Sequence, residues 1–154
     1  MYFALCEDID LCWRTQLLGY RVVVAPNSIV FHVGSATVSK TGLLVRRYLD
    51  FRNSLRTLLK NYSVKSLLKL LPVFLALESA ESIFISLKTG DARFIVAYVK
   101  AALWNIINLK DTIIARSRIQ SSRVIDDDEV MRKMMKASAK LLFLFKYHTK
   151  LMCG

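Results

Sequence analysis

The chain is poor in the residues that mark several familiar kinds of site. Its three cysteines, Cys6, Cys12 and Cys153, are odd in number and form no Cys-x-x-Cys pair. That argues against a disulfide framework or a zinc site and for a reducing compartment. Glycine occurs five times and proline twice, and no glycine-rich strand-to-helix start of the nucleotide-cradling kind is present. No Asp-x-Asp stands at a strand end, Asp8–Asp10 included. No nucleic-acid-binding signature is present either, so nucleic acid is not an expected partner. Acidic side chains number 12 against 23 lysines and arginines, a net charge of +11. Long uncharged apolar runs are missing as well. A membrane span needs roughly 20 such residues, but "LLPVFLALESAESIFISL" is interrupted by Glu78 and Glu81, and "FIVAYVKAALWNIINL" by Lys100 and Asn105. The opening "MYFALCEDID" is acidic where a secretory signal is basic.

What remains is apolar and basic together, with 54% hydrophobic residues and a mean hydropathy of +0.35. That combination points to a membrane surface or an anionic substrate. Amphipathic helices lying in the interface plane, apolar on one face and basic on the other, fit the second half better than spans do.

Local patterning divides the chain near Asn61. Ile9, Leu11, Trp13, Leu17 and Leu18 recur at near-helical spacing behind the acids Glu7, Asp8 and Asp10, where negative charge suits a helix start, and Gly19 is a natural stop. "YRVVVAP" and "SIVFHV" read as two short strands and "GSATVSKTG" as a loop. A helix is expected from about Leu43 to Tyr62, with an apolar stripe of Leu44, Tyr48, Phe51, Leu55, Leu58 and Leu59. Three more helices follow: Val64 to Lys88, kinked or restarted at Pro72, then Ala92 to Gln120, then Asp126 to Tyr147.

Two features invite chemistry. Glu7 and Asp10 share a helix face while Asp8 points elsewhere, and crowded carboxylates are a way to poise a general base. His32 ends an apolar strand before a Gly/Ser loop, a place where metal or phosphate ligands occur. Taken singly, each reads more simply as a helix cap or a satisfied polar residue.

Taken together, "EDIDLCWR" followed by "GYRVVVAPNSIVFHVGSAT" resembles the C-terminal segment of family 2 glycosyltransferases of the GT-A fold, which typically reads E-D-x-D-L-x-x-R, G-Y, strand, Pro, strand, His. "RRYLDFRNSLRTLLKNYS" is similar to the arginine-rich helix that follows in rhamnosyltransferase-like enzymes acting on lipid-linked or cell-surface glycans. The resemblance covers residues 2–62 well and weakly reaches "RSRIQSSRVIDDDE".

The fold it implies is an α+β fragment. Residues 1–41 would be the C-terminal piece of a GT-A α/β domain with one helix and two short strands, residues 42–62 an arginine-rich helix packed on it, and residues 63–154 a mainly helical, amphipathic, membrane-associated tail. The activity it implies is inverting sugar transfer from a nucleotide-diphosphate sugar to a lipid-linked or polysaccharide acceptor. Asp8 would be the base, assisted by Glu7. Asp10, Arg14, Gly34, Ser35, Lys40 and Arg52 would contact substrate, and His32 would bind a Mg²⁺ or Mn²⁺ ion in the complete enzyme. The family's nucleotide-binding half precedes this motif and has no counterpart here. The chain is therefore expected to be inactive alone, whether it comes from a truncated or split reading frame, from a mis-called start codon, or from a two-subunit enzyme with a separately encoded N-terminal half, and to sit peripherally on the cytoplasmic face of the cell membrane. Without a covering sheet, Ile9, Trp13, Val22, Val24 and Ile29 are expected to be exposed.

Overall fold

The computed structural model describes residues 4–31 and 42–134. Among these, 76% are helical, in six helices: α1 (Glu7–Leu17), α2 (Gly42–Asn61), α3 (Val64–Thr89), α4 (Arg93–Ile107), α5 (Leu109–Ser121) and α6 (Asp127–Lys133).

The helix ends follow from local chemistry. Three acids fill the first turn of α1 and Arg14 its last, matching the helix dipole. After Leu18, Gly19 turns left-handed at φ 84°; its N–H donates to the Gln16 carbonyl and that of Tyr20 to the Thr15 carbonyl, a Schellman stop. Ser63 caps α3 by accepting the Ser66 N–H at 3.3 Å, and Gly90 at φ 67° closes it. Asp126 caps α6 by accepting the Glu129 N–H at 2.8 Å.

Helix α2 is the central element, packing along α4 and α5, while α3 lies against α4. Two apolar clusters hold this arrangement. Phe51, Leu55 and Ala101 form one, with Phe51 stacked 4.3 Å from the Tyr98 ring. Trp13, Leu17, Tyr62 and Val130 form the other, with the Trp13 and Tyr62 rings edge to face at 4.5 Å. Such ring pairs add ~1 kcal/mol beyond the area they bury. The end of α1 is also clasped from far along the chain, since the Leu17 carbonyl accepts the N–H groups of both Val124 (2.8 Å) and Ile125 (3.1 Å).

The expected α+β class is not what forms: the described residues contain no strand, and this part of the chain is all-α. The two apolar runs at Tyr20–Ala25 and Ile29–Phe31 stay extended around a turn in which the Ser28 N–H reaches the Ala25 carbonyl. They remain in the open, with Val24 89% and Phe31 95% exposed. β-branched residues favour a strand only where a neighbouring strand and a covering layer accept their backbone and side chains. The described residues offer neither.

Three smaller expectations also change. Trp13 is buried, unlike Ile9, Val22, Val24 and Ile29, because the clasp brings Val130 and Tyr62 over it. Of the two outcomes expected at Pro72, a restart does not occur: α3 runs through it, and Leu71, Phe74 and Leu75 on either side pack against the Phe51 cluster. The long helix expected from Ala92 to Gln120 breaks at Asn108, whose side-chain amide donates to the Trp104 carbonyl at 2.8 Å and competes with helix continuation. The stretch of the last expected helix beyond residue 134 lies outside the described residues.

Candidate functional site

The acidic motif is presented by a turn that only a specific partner stabilises. Leu5 and Cys6, just ahead of α1, both adopt left-handed backbone at φ 70° and 65°. Such conformations cost non-glycine residues ~1–3 kcal/mol each unless their surroundings fix them. The fixing group is Asn53 of α2, fully buried, whose amide donates to the carbonyls of Ala4 (2.7 Å) and Leu5 (2.9 Å) while its oxygen accepts from Arg52 Nε at 3.0 Å. Cys6 sits beside Ser54 with Sγ 3.4 Å from Oγ, and burial pushes its thiol pKa up. It is a packed thiol rather than a reactive one. Asn53→Ala is expected to lower stability by about 1–3 kcal/mol. Asn53→Asp gives no rescue, because two carbonyls would then face an acceptor. Thermal unfolding of both variants checks this.

The three acids separate into two roles. Asp10 is 3% exposed and fully engaged: one oxygen accepts from both Arg14 Nε and Lys60 Nζ at 3.0 Å, and the other from Asn61 Nδ2 at 3.0 Å. Burial lowers the Lys60 pKa, and its bond and charge pairing with Asp10 oppose the shift. Glu7 and Asp8 remain exposed on the first turn, with an Asp8 oxygen accepting the Ile9 N–H at 2.8 Å.

A cleft of about 470 Å³ opens beside them, lined by Glu7, Asp10, Arg14, Arg56, Lys60, Asp111, Ala115, Arg118 and Ile119. That is large enough for a sugar-sized ligand. Its walls are mainly charged, with four cations and three acids. Arg56 is paired with Asp111 and lies over the Trp104 ring, so its charge is partly spent within the fold. Arg14, at 40% side-chain exposure, and Arg118 face the opening more freely.

The expected site residues thus divide. Glu7, Asp10 and Arg14 meet at the cleft, with Asp8 adjacent. Arg52 stacks instead between Trp104 (4.7 Å) and Tyr48 (5.5 Å) and bonds to Asn53. His32, Gly34, Ser35 and Lys40 lie outside the described residues. Among the described residues no group of three or more His, Cys, Asp or Glu can hold a metal ion. Asp10, the best placed oxygen donor, already accepts from three nitrogen donors. The expected Mg²⁺ or Mn²⁺ ion belongs to the complete enzyme, and His32, its expected ligand, is not among the described residues.

Asn53, Lys60 and Asn61 were missed by sequence reasoning. The signal was present as a polar stripe at helical spacing, Asn53, Arg56 or Thr57, then Lys60, running opposite the leucines of α2. No family model, curated protein or solved structure matches this chain.

Proposed function

We propose that this chain carries the acceptor side of a family 2-like sugar transferase and acts together with a nucleotide-sugar-binding part. The observation that carries the reading is the division among the acids: Asp10 is locked by Lys60, Asn61 and Arg14, Glu7 lines the charged cleft, and Asp8 is left exposed on the same helical turn. A general base needs a fixed mount and an open carboxylate, and this arrangement supplies both.

In the proposed reaction Asp8 takes the proton of an acceptor hydroxyl. The hydroxyl oxygen bonds to the anomeric carbon from the face opposite the diphosphate, and the carbon–oxygen bond to the diphosphate breaks with its electrons going to the leaving group. Glu7 helps hold the acceptor. Arg14 and Arg118 put positive charge at the cleft, where it balances charge on a diphosphate. The exposed apolar runs Tyr20–Ala25 and Ile29–Phe31 offer a surface on which a nucleotide-sugar-binding part can pack. The acceptor is a lipid-linked or polysaccharide glycan at the cytoplasmic face of the membrane.

The test is hydrolysis and transfer from labelled nucleotide-sugars. The isolated chain is expected to give no turnover above that of Asp8→Asn. Co-expression with the polypeptide encoded immediately upstream is expected to give turnover that Asp8→Asn removes. Turnover by the isolated chain that Asp8→Asn abolishes would overturn the split, and turnover in the pair that survives Asp8→Asn would overturn the role of Asp8. A second reading, a non-catalytic helical protein of the membrane surface, is favoured by the outward aliphatic face of α3 and α4. It predicts membrane binding with no turnover in either preparation.

A further inference from the structure

Helices α3 and α4 are built inside out. Between Lys69 and Lys88 the polar residues of α3 are Glu78, Ser79, Glu81, Ser82 and Ser86, and all turn inward. Glu81 pairs with Arg47 of α2 at 2.6 Å. Ser79 Oγ lies 3.0 Å from the Tyr98 hydroxyl, and Ser82 and Ser86 donate to the carbonyls of Phe94 and Asp91. Helix α4 meets its neighbours through small or polar side chains, Ala97, Ala101 and Asn105, and Phe94. Small residues and serine hydrogen bonds at a helix contact, with aliphatic residues outside, are how helices associate where apolar surface gains nothing by hiding from its surroundings.

The outward side is correspondingly apolar. On α3 it consists of Val73, Leu77, Ile83, Phe84 and Leu87, and on α4 of Ile95, Val96, Val99, Leu103 and Ile106. A water-facing helix pair shows the opposite polarity. The charges exposed on the same two helices, Lys65, Lys69, Lys88, Arg93 and Lys100, are all cationic. A second copy docked on this face would bring cation to cation, which disfavours self-association. Anionic phosphate groups around an acyl interior complement it.

The depth follows from α2. Helix α3 is long and apolar enough to cross a bilayer, with a mean hydropathy of 1.7. However, α2 covers the other side of the same stretch, and its Arg47–Glu81 pair carries the exposed Arg46 abreast of the middle of α3. Lys100 likewise lies midway along α4. A span would drag these charges through the hydrocarbon, whereas a layer lying flat keeps them at its edge. We infer that α3 and α4 form a monotopic platform that lies face-down in an anionic bilayer, its aliphatic side in the acyl region and its lysines among the headgroup phosphates. This deepens the membrane part of the proposed function by naming the surface and the lipid charge, but it rests on a different face from the sugar site.

Flotation of the full chain with phosphatidylcholine vesicles, with and without phosphatidylglycerol, tests it without any sugar chemistry. The chain is expected to float with the anionic vesicles. Leu77→Glu and Leu103→Glu, both at exposed positions, are each expected to lower partitioning by roughly tenfold or more. Lys69→Gln and Lys88→Gln are each expected to lower it about fivefold on anionic vesicles only. Ile113→Glu, at an exposed position on α5, is expected to leave binding unchanged, and circular dichroism checks that each variant keeps its helices. No flotation, or flotation lost in Ile113→Glu but retained in Leu77→Glu and Leu103→Glu, overturns the platform. So does a lipid-free dimer that Leu103→Glu dissociates. A chain that floats as expected yet never transfers sugar leaves the platform standing and removes only the transferase reading.

Discussion

Asp10→Ala is expected to destabilise the fold by about 3–5 kcal/mol, because it strands a buried lysine. Lys60 is 7% exposed, and its ammonium has Asp10 as its closely paired carboxylate at 3.0 Å, an oxygen that also accepts from Arg14. Removing the acid takes the close carboxylate away from the buried Lys60 ammonium, and Asn61 loses an acceptor as well. Most domains have only about 5–15 kcal/mol in hand, so much of the chain's stability hangs on this one side chain. Denaturant unfolding measures the loss, and a value under about 1 kcal/mol would contradict the assignment. A second substitution separates a charge penalty from a packing defect. Adding Lys60→Met to Asp10→Ala removes the stranded charge and is expected to recover a substantial share of the loss. The pH dependence gives a further sign. Burial already sets the folded pKa of Lys60 below its ordinary value. Between those two pKa values the unfolded chain binds more protons, so stability rises with pH there. Without Asp10 the depression deepens, and the Asp10→Ala deficit is expected to narrow as the solution becomes alkaline.

The second large effect is expected at the other end of the clasp. Asp127 is 5% exposed at the start of α6; it accepts the Ser63 N–H at 2.9 Å and pairs with Arg123. Burial alone would raise its pKa, but hydrogen bonds from Ser63, Ser66 and Arg123 outweigh burial and hold it below the ordinary carboxylate value. A depressed carboxylate contributes stability that is fully present above its unfolded pKa, near 4, and is lost as pH falls through the folded one. The wild type is therefore expected to lose stability on acidification below about pH 4, while Asp127→Asn shows a flatter acid limb. At neutral pH, Asp127→Asn is expected to be less stable by about 2–3 kcal/mol, since Arg123 keeps its burial and loses its anion. Equal acid limbs in the two proteins would remove Asp127 from this role.

Much of the site was legible from the chain alone, and the reason is locality. The start of α1, its acids and its glycine stop are decided within a few residues, so Glu7 to Gly19 could be read directly. The apolar stripe of α2 was equally plain, with Phe51 and Leu55 now in the core. The runs at Tyr20–Ala25 and Ile29–Phe31 show the limit. Two strands were expected there and neither forms, because a ladder requires a partner strand and none exists among the described residues. The locking of Asp10 was hidden for a related reason. An ion pair between Asp10 and Lys60 depends on how α1 lies across α2, which no spacing within either helix encodes. The polar stripe Asn53–Lys60 announced that something polar would be met there, but not what.

The clasp at Leu17 also orders events in time. The residues that complete the end of α1 are Val124, Ile125 and Val130, close to the last of the described chain. Contacts of such long sequence separation form only after the entropy of closing the intervening loop has been overcome. Helices α2 to α5, whose contacts are nearer neighbours, can assemble first. The C-terminal end of α1 is then among the last parts of the described chain to find its place, whereas Asn53 and Lys60 of α2, which mount its acidic first turn, lie no farther along the chain than the contacts of α2 with α4 and α5.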